Sequence, residues 1–308
     1  MLYYHIFEKA KACGYNKTAL QKAAGLSSAT VAKIGKNEPI RMDVLERICK
    51  VLRCQPGELL EYIADEGNPL LERLREEAGM NLRGGIYHLT QVKMAYNTNR
   101  IEGSRLTEDQ TRYIYETNMV GIEEERGTVN VDDITETINH FAAFHYLLEV
   151  AEDDLTEEII KEFHRILKTN TSDSRKEWFA VGDYKKRVNL AGERVTTKPE
   201  YVAVEMAKLL ADYRVQSEIR EKDIIDFHYR FECIHAFQDG NGRVGRLILF
   251  KECLKHKLVP MVIEDRFKQY YYRGLKEYER EPGYLVDTCL HGQDVYRGYL
   301  ELFDIAGL

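Results

Sequence analysis

Apolar residues three and four positions apart run through most of this chain, and one glycine-rich turn interrupts them. Ile134, Ile138, Phe141, Phe144 and Leu147 form one such row, and Ile224, Phe227, Phe231 and Ile234 form another. That period places a row on one face of an α-helix, so the spacing predicts a mostly helical, all-α chain. Further helices are expected over 156–167, 201–213, 242–256 and 267–278, and Leu70, Leu71, Leu74 and Ala78 open another. The exception is 184–197, where alternation about Gly192 reads as one short β-hairpin. A length of 308 residues suggests two domains with material for a real core. No apolar run approaches the roughly 20 residues of a membrane span, and the start of the chain lacks the apolar core of a signal peptide. Six cysteines without a CxxC pair read as reduced thiols, hence a cytoplasmic protein.

The net charge of −7 argues against a polyanionic partner until it is resolved along the chain. Residues 1–64 carry ten Lys/Arg against six Asp/Glu, a balance of +4, which leaves −11 for the rest. Within that basic head, short helical pieces are expected over 4–12, 17–24, 28–34 and 42–52, with 58–63 as a trailing turn. The break at Gly25-Leu26-Ser27 offers a left-handed glycine, an apolar residue and an N-cap in succession, as two tightly crossing helices need. Leu20, Leu26, Val31 and Ile34 supply the seam, and Ala19, Ala23 and Ala24 allow close approach. The stretch 16–34 resembles the Cro/repressor-like helix-turn-helix family. The resemblance implies DNA as a partner, with Ser28, Ala29, Thr30 and Lys33 near base edges and Lys17, Lys22 and Lys36 near phosphates.

The chemistry is concentrated in His235-Ala236-Phe237-Gln238-Asp239-Gly240-Asn241-Gly242-Arg243-Val244-Gly245-Arg246. It holds a general-base candidate, a hard oxygen ligand, glycines that expose backbone N–H groups and two arginines. Helical periods on both sides place the glycines at a helix N-terminus, which is an anion site. Arg243 and Arg246, three apart, share a face of that helix. Gly240 to Gly245 also spells GxGxxG, with Glu264 and Asp265 about 20 residues on. A dinucleotide loop must follow a strand, however, and the residues before this one have helical period, while Pro260 interrupts the candidate second strand. No GxxxxGK[ST] loop occurs.

These twelve residues resemble the Fic family signature His-x-Phe-x-Asp-Gly-Asn-Gly-Arg-x-x-Arg at every fixed position, with Ala236 where Pro is common. The resemblance spans roughly residues 90–280 and implies transfer of AMP from ATP to a hydroxyl of a target protein. It implies His235 as base, Asp239 as Mg²⁺ ligand, and Gly240, Asn241 and Gly242 as the anion hole. Arg243 and Arg246 would then meet the β- and γ-phosphates, and Tyr271 or Tyr272 would stack on adenine. Phe237 is expected in the core, and the hairpin becomes a flap that clamps the target by strand addition. His140, His145, His164 and His228 lie in helical patterns without ligand spacing and read as core or surface histidines.

Thr98 and Glu102 are four apart, on one helix face, with Gly103 able to end the helix. Thr98-x-x-x-Glu102-Gly103 matches the family's inhibitory helix, here preceding the core. The resemblance implies that Glu102 pairs with Arg246 and that Thr98 orients the helix. The expected organisation is a helix-turn-helix domain over 1–65, a linker and inhibitory helix over 66–103, and a Fic domain over 104–308 with its core about 130–280. Two alternatives stay open: removal of AMP, with Glu102 aligning a water, and a nucleotide-sensing regulator with little transfer, which the intact His235 disfavours. A homodimer is left open.

Overall fold

The computed structural model describes residues 2–62, 67–121, 128–192 and 194–307. They fall into two compact units, Met1–Glu66 and Gly67–Leu308. The turn residues Asp65-Glu66, which mark the boundary in the sequence, lie outside the described residues.

The first unit contains α1 (Ile6–Ala12), α2 (Lys17–Ala23), α3 (Ser28–Gly35) and α4 (Met42–Leu52). Asn16 and Ser27 open α2 and α3 by accepting the N–H of Ala19 and Thr30, so each satisfies an otherwise orphaned donor. Gly25 takes φ 60° between the two helices, and Arg47 donates to the carbonyl of Gly25 at 2.8 Å, closing the end of α2. Ile6, Leu20, Leu26, Ile34, Val44 and Ile48 are the buried centre. Two short strands were not legible: β1 (Leu2–Tyr4) pairs antiparallel with β2 (Leu60–Tyr62). Tyr4 is therefore in a strand and not at a helix start, and the expected turn over 58–63 contributes a strand instead. Three-residue strands paired across more than fifty positions leave no periodic trace.

The second unit is helical: α5 (Pro69–Met80), α6 (Ile86–Ile101), α7 (Glu108–Thr117), α8 (Val131–Glu149), α9 (Glu157–Lys168), α10 (Pro199–Arg214), α11 (Glu221–Ile234), α12 (Asn241–Lys255), α13 (Lys268–Glu277) and α14 (Gly283–Leu302). The hairpin shrinks to β3 (Leu190–Ala191) against β4 (Arg194–Val195). Leu70, Leu71, Leu74, Ile86 and Met94 join the core of this unit. Residues 69–80 and 86–101 are thus helices packed into this unit. At the centre runs α12, buried from Asn241 through Leu254 and packed against α6, α8, α9 and α11. A helix buried all round is expected to be apolar. This one is apolar at Val244, Leu247, Ile248, Leu249 and Phe250, but it carries Arg243, Arg246, Lys251 and Glu252 inside. Lys251 and Glu252 pair with each other at 2.8 Å, and Tyr213 donates to Glu252 at 3.0 Å. The two arginines are reserved for the site.

Three histidines are enclosed by this core. Burial above all holds His140, His164 and His228 down to about 3 from a usual 6.5. Above pH 6.5 both folded and unfolded chains leave these rings neutral. Below it the unfolded chain gains protons that the folded chain refuses, so stability falls as pH drops from 6.5 toward 3. Urea denaturation is expected to lose up to about 1.4 kcal/mol per imidazole per pH unit across that window. A flat unfolding free energy from pH 7 to 5 would show that the rings protonate in place.

Candidate active site

The site is the six-residue turn between α11 and α12 together with what α6, α8, α9 and the hairpin bring to it. His235 caps α11 in the left-handed region, φ 52° and ψ 60°, and Gly240 caps the start of α12 with φ 82°. A non-glycine residue held at positive φ carries backbone strain, and surrounding bonds must impose it. Asn241 does so: its side-chain oxygen accepts the N–H of Phe237 at 2.8 Å, and its amide donates to the carbonyl of Phe237 at 2.8 Å. The side chain of Asn241 therefore staples the loop, and only its backbone N–H is left for the anion hole expected of it. Phe237 is fully buried, as expected, and stacks on His164 with ring centroids 4.0 Å apart.

His235 Nδ1 is sealed from solvent beside the backbone of Glu232, which leaves Nε2 as the nitrogen open to a reacting group. Burial first, and the charge of Lys185 next, lower its pKa below 6.5, so the ring is neutral at pH 7 and able to accept a proton. Lys185 is itself buried, and that burial pulls its ammonium down to about 8. It donates to Asn189 at 2.8 Å and to Thr196 at 2.6 Å, while its backbone N–H bonds the carbonyl of Ala236 at 2.9 Å. Asn189 completes the connection by donating to the carbonyl of Phe237 at 3.0 Å. The base of the hairpin is thereby fastened to the histidine loop.

Asp239 sits in a five-membered ion cluster. One carboxylate oxygen meets Lys168 at 2.7 Å and Arg243 at 2.9 Å. Lys168 also meets Glu136 at 2.7 Å and Asp173 at 3.2 Å, and Arg243 meets Glu136 at 2.5 Å. Burial alone would raise the Asp239 pKa, but Arg243 and Lys168 outweigh it and hold the group far below the usual carboxylate range. Lys176 meets Asp173 from outside at 2.6 Å, so three carboxylates face three cations, and the Asp239 side chain is 45% exposed. His164 supports the loop from beneath. It accepts the N–H of Gly182 at Nδ1 (3.0 Å), so Nε2 carries the hydrogen and donates to the carbonyl of Asp239 at 3.2 Å.

Arg246 turns the other way. Its Nε donates to the Thr98 hydroxyl at 2.7 Å and its NH2 group to Glu102 Oε1 at 2.5 Å. The two arginines thus serve separate carboxylates. Thr98 binds the arginine directly and does more than orient its helix. Gly103 ends the α6 segment with φ 103°. The Glu102 carboxylate rests on Gly242, in the first turn of α12, where a Cβ would collide with Glu102 Oε1. A carboxylate therefore occupies the position that a helix N-terminus and a buried arginine offer to an anion.

Of the two tyrosines expected at the base, Tyr271 is 1% exposed and its hydroxyl bonds His228 at 2.7 Å. It is core and has no face to offer a ligand. Tyr272 is 43% exposed, tied by its hydroxyl to the carbonyl of Ile101 at 2.8 Å. In the first unit Ser28, Ala29 and Lys33 are exposed along α3, while Thr30 is half-buried and engaged with the Ser27 cap.

Sequence reasoning missed Lys168, Glu136, Asp173, Lys185 and Asn189. For Lys168 a signal existed: Ile160, His164 and Lys168 continue one helix stripe, so a lysine stands where an apolar residue belongs. Glu136 meets Lys168 across 32 residues, and Lys185 and Asn189 reach the carbonyls of Ala236 and Phe237 from a distant part of the chain, so nothing local marks them.

Fold and loop together define a helical domain in which a neutral histidine and a carboxylate flank a helix N-terminus. Residues 154–252 match the Fic/DOC family, and residues 8–65 match the Cro/C1-type HTH DNA-binding domain. The chain therefore carries a Fic/DOC domain and an N-terminal Cro/C1-type helix-turn-helix domain. It is 28% identical over 194 residues to protein adenylyltransferase fic-1 of Caenorhabditis elegans, covering 60% of this chain and 36% of the worm protein. This chain thus spans well under half the length of that relative. Over 61 residues it is 41% identical to the HTH-type transcriptional regulator YozG of Bacillus subtilis, covering 19% of this chain and 73% of the regulator. A Fic-domain signaling protein from Bacteroides thetaiotaomicron shares the fold, with a TM-score of 0.60 at 22% identity, over 77% of this chain and 99% of that one. No helix of the described residues is long and apolar enough to cross a membrane.

Proposed function

We propose that the chain transfers AMP from ATP to a Tyr, Ser or Thr hydroxyl of a target protein, and of itself, and that Glu102 holds the site closed. The observation that carries this reading is the Glu102 carboxylate seated on Gly242 and Arg246, beside a neutral His235 and an ionised Asp239. His235 Nε2 takes the proton of the hydroxyl as it attacks the α-phosphorus. Backbone N–H groups of Gly240, Asn241 and Gly242 donate to the α/β-phosphates, whose charge grows in the transition state. Arg243 lies toward the β-phosphate, Arg246 receives the γ-phosphate once Glu102 leaves it, and Tyr272 covers the adenine.

The half-exposed Asp239 carboxylate fits Mg²⁺, since a hard cation takes one carboxylate plus substrate phosphate oxygens and water. Bound there, Mg²⁺ would neutralise phosphate charge, while Lys168 and Arg243 keep the Asp239 carboxylate ionised and aimed. The helix-turn-helix unit binds duplex DNA, with Ser28, Ala29 and Lys33 of α3 toward base edges. The cytosol is the compartment its cysteine usage suits.

The test is incubation with ATP labelled at the α- or γ-phosphate in the presence of Mg²⁺, followed by intact mass measurement. An AMP adduct that retains only the α-label is expected. A γ-label on protein would make the chain a kinase instead. The pH profile carries a second expectation. Transfer needs neutral His235, so it declines as pH falls through a pKa below 6.5. Lys185→Met removes the positive charge that helps depress that pKa, so the acid limb of the rate profile moves upward toward 6.5, while Lys185→Arg leaves it low. An unmoved limb in Lys185→Met would remove Lys185 from the electrostatics of the base.

A further inference from the structure

We infer that the cations beside the hairpin make it selective for a target whose acceptor hydroxyl lies next to an acidic stretch, which goes beyond the strand addition implied by the family resemblance. This rests on the transferase reading and names the kind of partner that the site would serve. Among the described residues β3 and β4 pair only with each other, so the two-stranded sheet has open outer edges. An extended polypeptide adds to such an edge through its main chain, and flanking side chains set specificity. Here those side chains are distinctive. Val188, Leu190 and Val195 are 56–64% exposed, a row suited to alternate side chains of an added strand.

Beside them lies the single tryptophan of the chain. Trp178 is exposed, and the Arg187 guanidinium stands 5.1 Å and the Lys176 ammonium 5.5 Å from its ring centroid. Arg175 and Lys186 are exposed on the same segments. Lys176 shares its charge with Asp173 at 2.6 Å, whereas no described carboxylate pairs with Arg187. Four exposed cations gather here against the exposed carboxylate of Glu177 and the Asp173 already paired with Lys176, on a protein whose net charge is −7. A ring that holds Arg187 in place reduces the entropy lost when the guanidinium takes a carboxylate in its two-pronged grip.

The surface is placed for work at His235. Asn189, two residues from Arg187, is bonded to the loop at the carbonyl of Phe237, and two residues of chain span at most about 7 Å. An acidic side chain within about three residues of the acceptor hydroxyl would therefore reach Arg187. Duplex DNA is a poorer fit, because the exposed valine and leucine row has no counterpart on a phosphate backbone.

The experiment uses the full chain carrying Glu102→Gly, with short peptides that have one Tyr or one Thr flanked by paired Glu, Gln or Lys. Each peptide is read both as AMP acceptor and as inhibitor of self-labelling. The Glu peptides are expected to exceed the Lys peptides about ten-fold in kcat/KM, with the gap narrowing in 0.5 M salt. Lys186→Glu with Arg187→Glu is expected to invert the order, and the milder Arg187→Gln to level it; both are ratios within one variant. Equal peptides, or Glu peptides that neither accept AMP nor inhibit, with self-labelling intact, overturn the docking surface and leave the transferase reading standing. A duplex oligonucleotide that blocks the Glu peptides in the parent but not in Arg187→Gln overturns it in favour of nucleic acid. Absence of all labelling removes the transferase reading and this inference with it.

Discussion

Glu102→Gly is expected to raise AMP self-labelling by about two orders of magnitude, measured as initial rates of adduct formation at saturating ATP. Arg246 is 3% exposed and its pairing with Glu102 is close and charge-assisted. A nucleotide γ-phosphate cannot take that guanidinium while the carboxylate holds it, and about 2.7 kcal/mol of lost competition corresponds to a hundred-fold rate. The same substitution has a thermodynamic signature. Removing one partner of a buried pair leaves a desolvated charge, although Thr98 still accepts from Arg246. Without ATP the variant is expected to melt several degrees lower, and saturating ATP is expected to restore more stability to it than to the parent. Glu102→Gln, which keeps the shape and drops the charge, falls between the two. Equal labelling by parent and Glu102→Gly would mean that the contact does not restrain the enzyme.

His235→Ala is expected to remove 10²- to 10⁴-fold of transfer, roughly the worth of a positioned general base, while ATP affinity is kept. The phosphates are expected to be bound by the N-terminus of α12 and its arginines, and none of these depends on the imidazole. The control is His235→Gly. His235 holds φ 52°, a conformation that alanine adopts at a cost of about 1–2 kcal/mol and glycine at almost none. If strain were the cause, His235→Gly would recover activity; if the proton acceptor is the cause, both variants fail alike. Isothermal titration with ATP alongside transfer rates in the Glu102→Gly background separates the two.

How much of this was readable in advance depends on the range of the interactions. Asn16, Ser27 and Thr156 are capping residues, and the helices after them begin where those side chains close a turn. The loop 235–246 was legible because its parts are adjacent in the chain. α6 was legible only at its end, since Tyr87, Thr90, Gln91, Asn97 and Asn99 are buried polar residues and blur the apolar stripe. α7 and α14 were not expected at all. The ion cluster around Asp239 could not be read, because Glu136 and Lys168 reach it from α8 and α9, and a local pattern does not encode a meeting of three helices. Tyr271 and Tyr272 are neighbours in sequence with similar chemistry. Only the packing of α13 puts one inside and leaves the other in reach of solvent.

The close seat of Glu102 on Gly242 has a genetic consequence. Gly242 is where the Glu102 carboxylate rests and, under the proposed function, also where phosphate would be held, so any larger residue there evicts both at once. Arg246 has the same double allegiance. A population under selection for unrestrained activity therefore has no escape route through either position. Gain-of-function alleles are expected to collect at Thr98, Glu102 and Gly103, on the helix that visits the site without belonging to its chemistry.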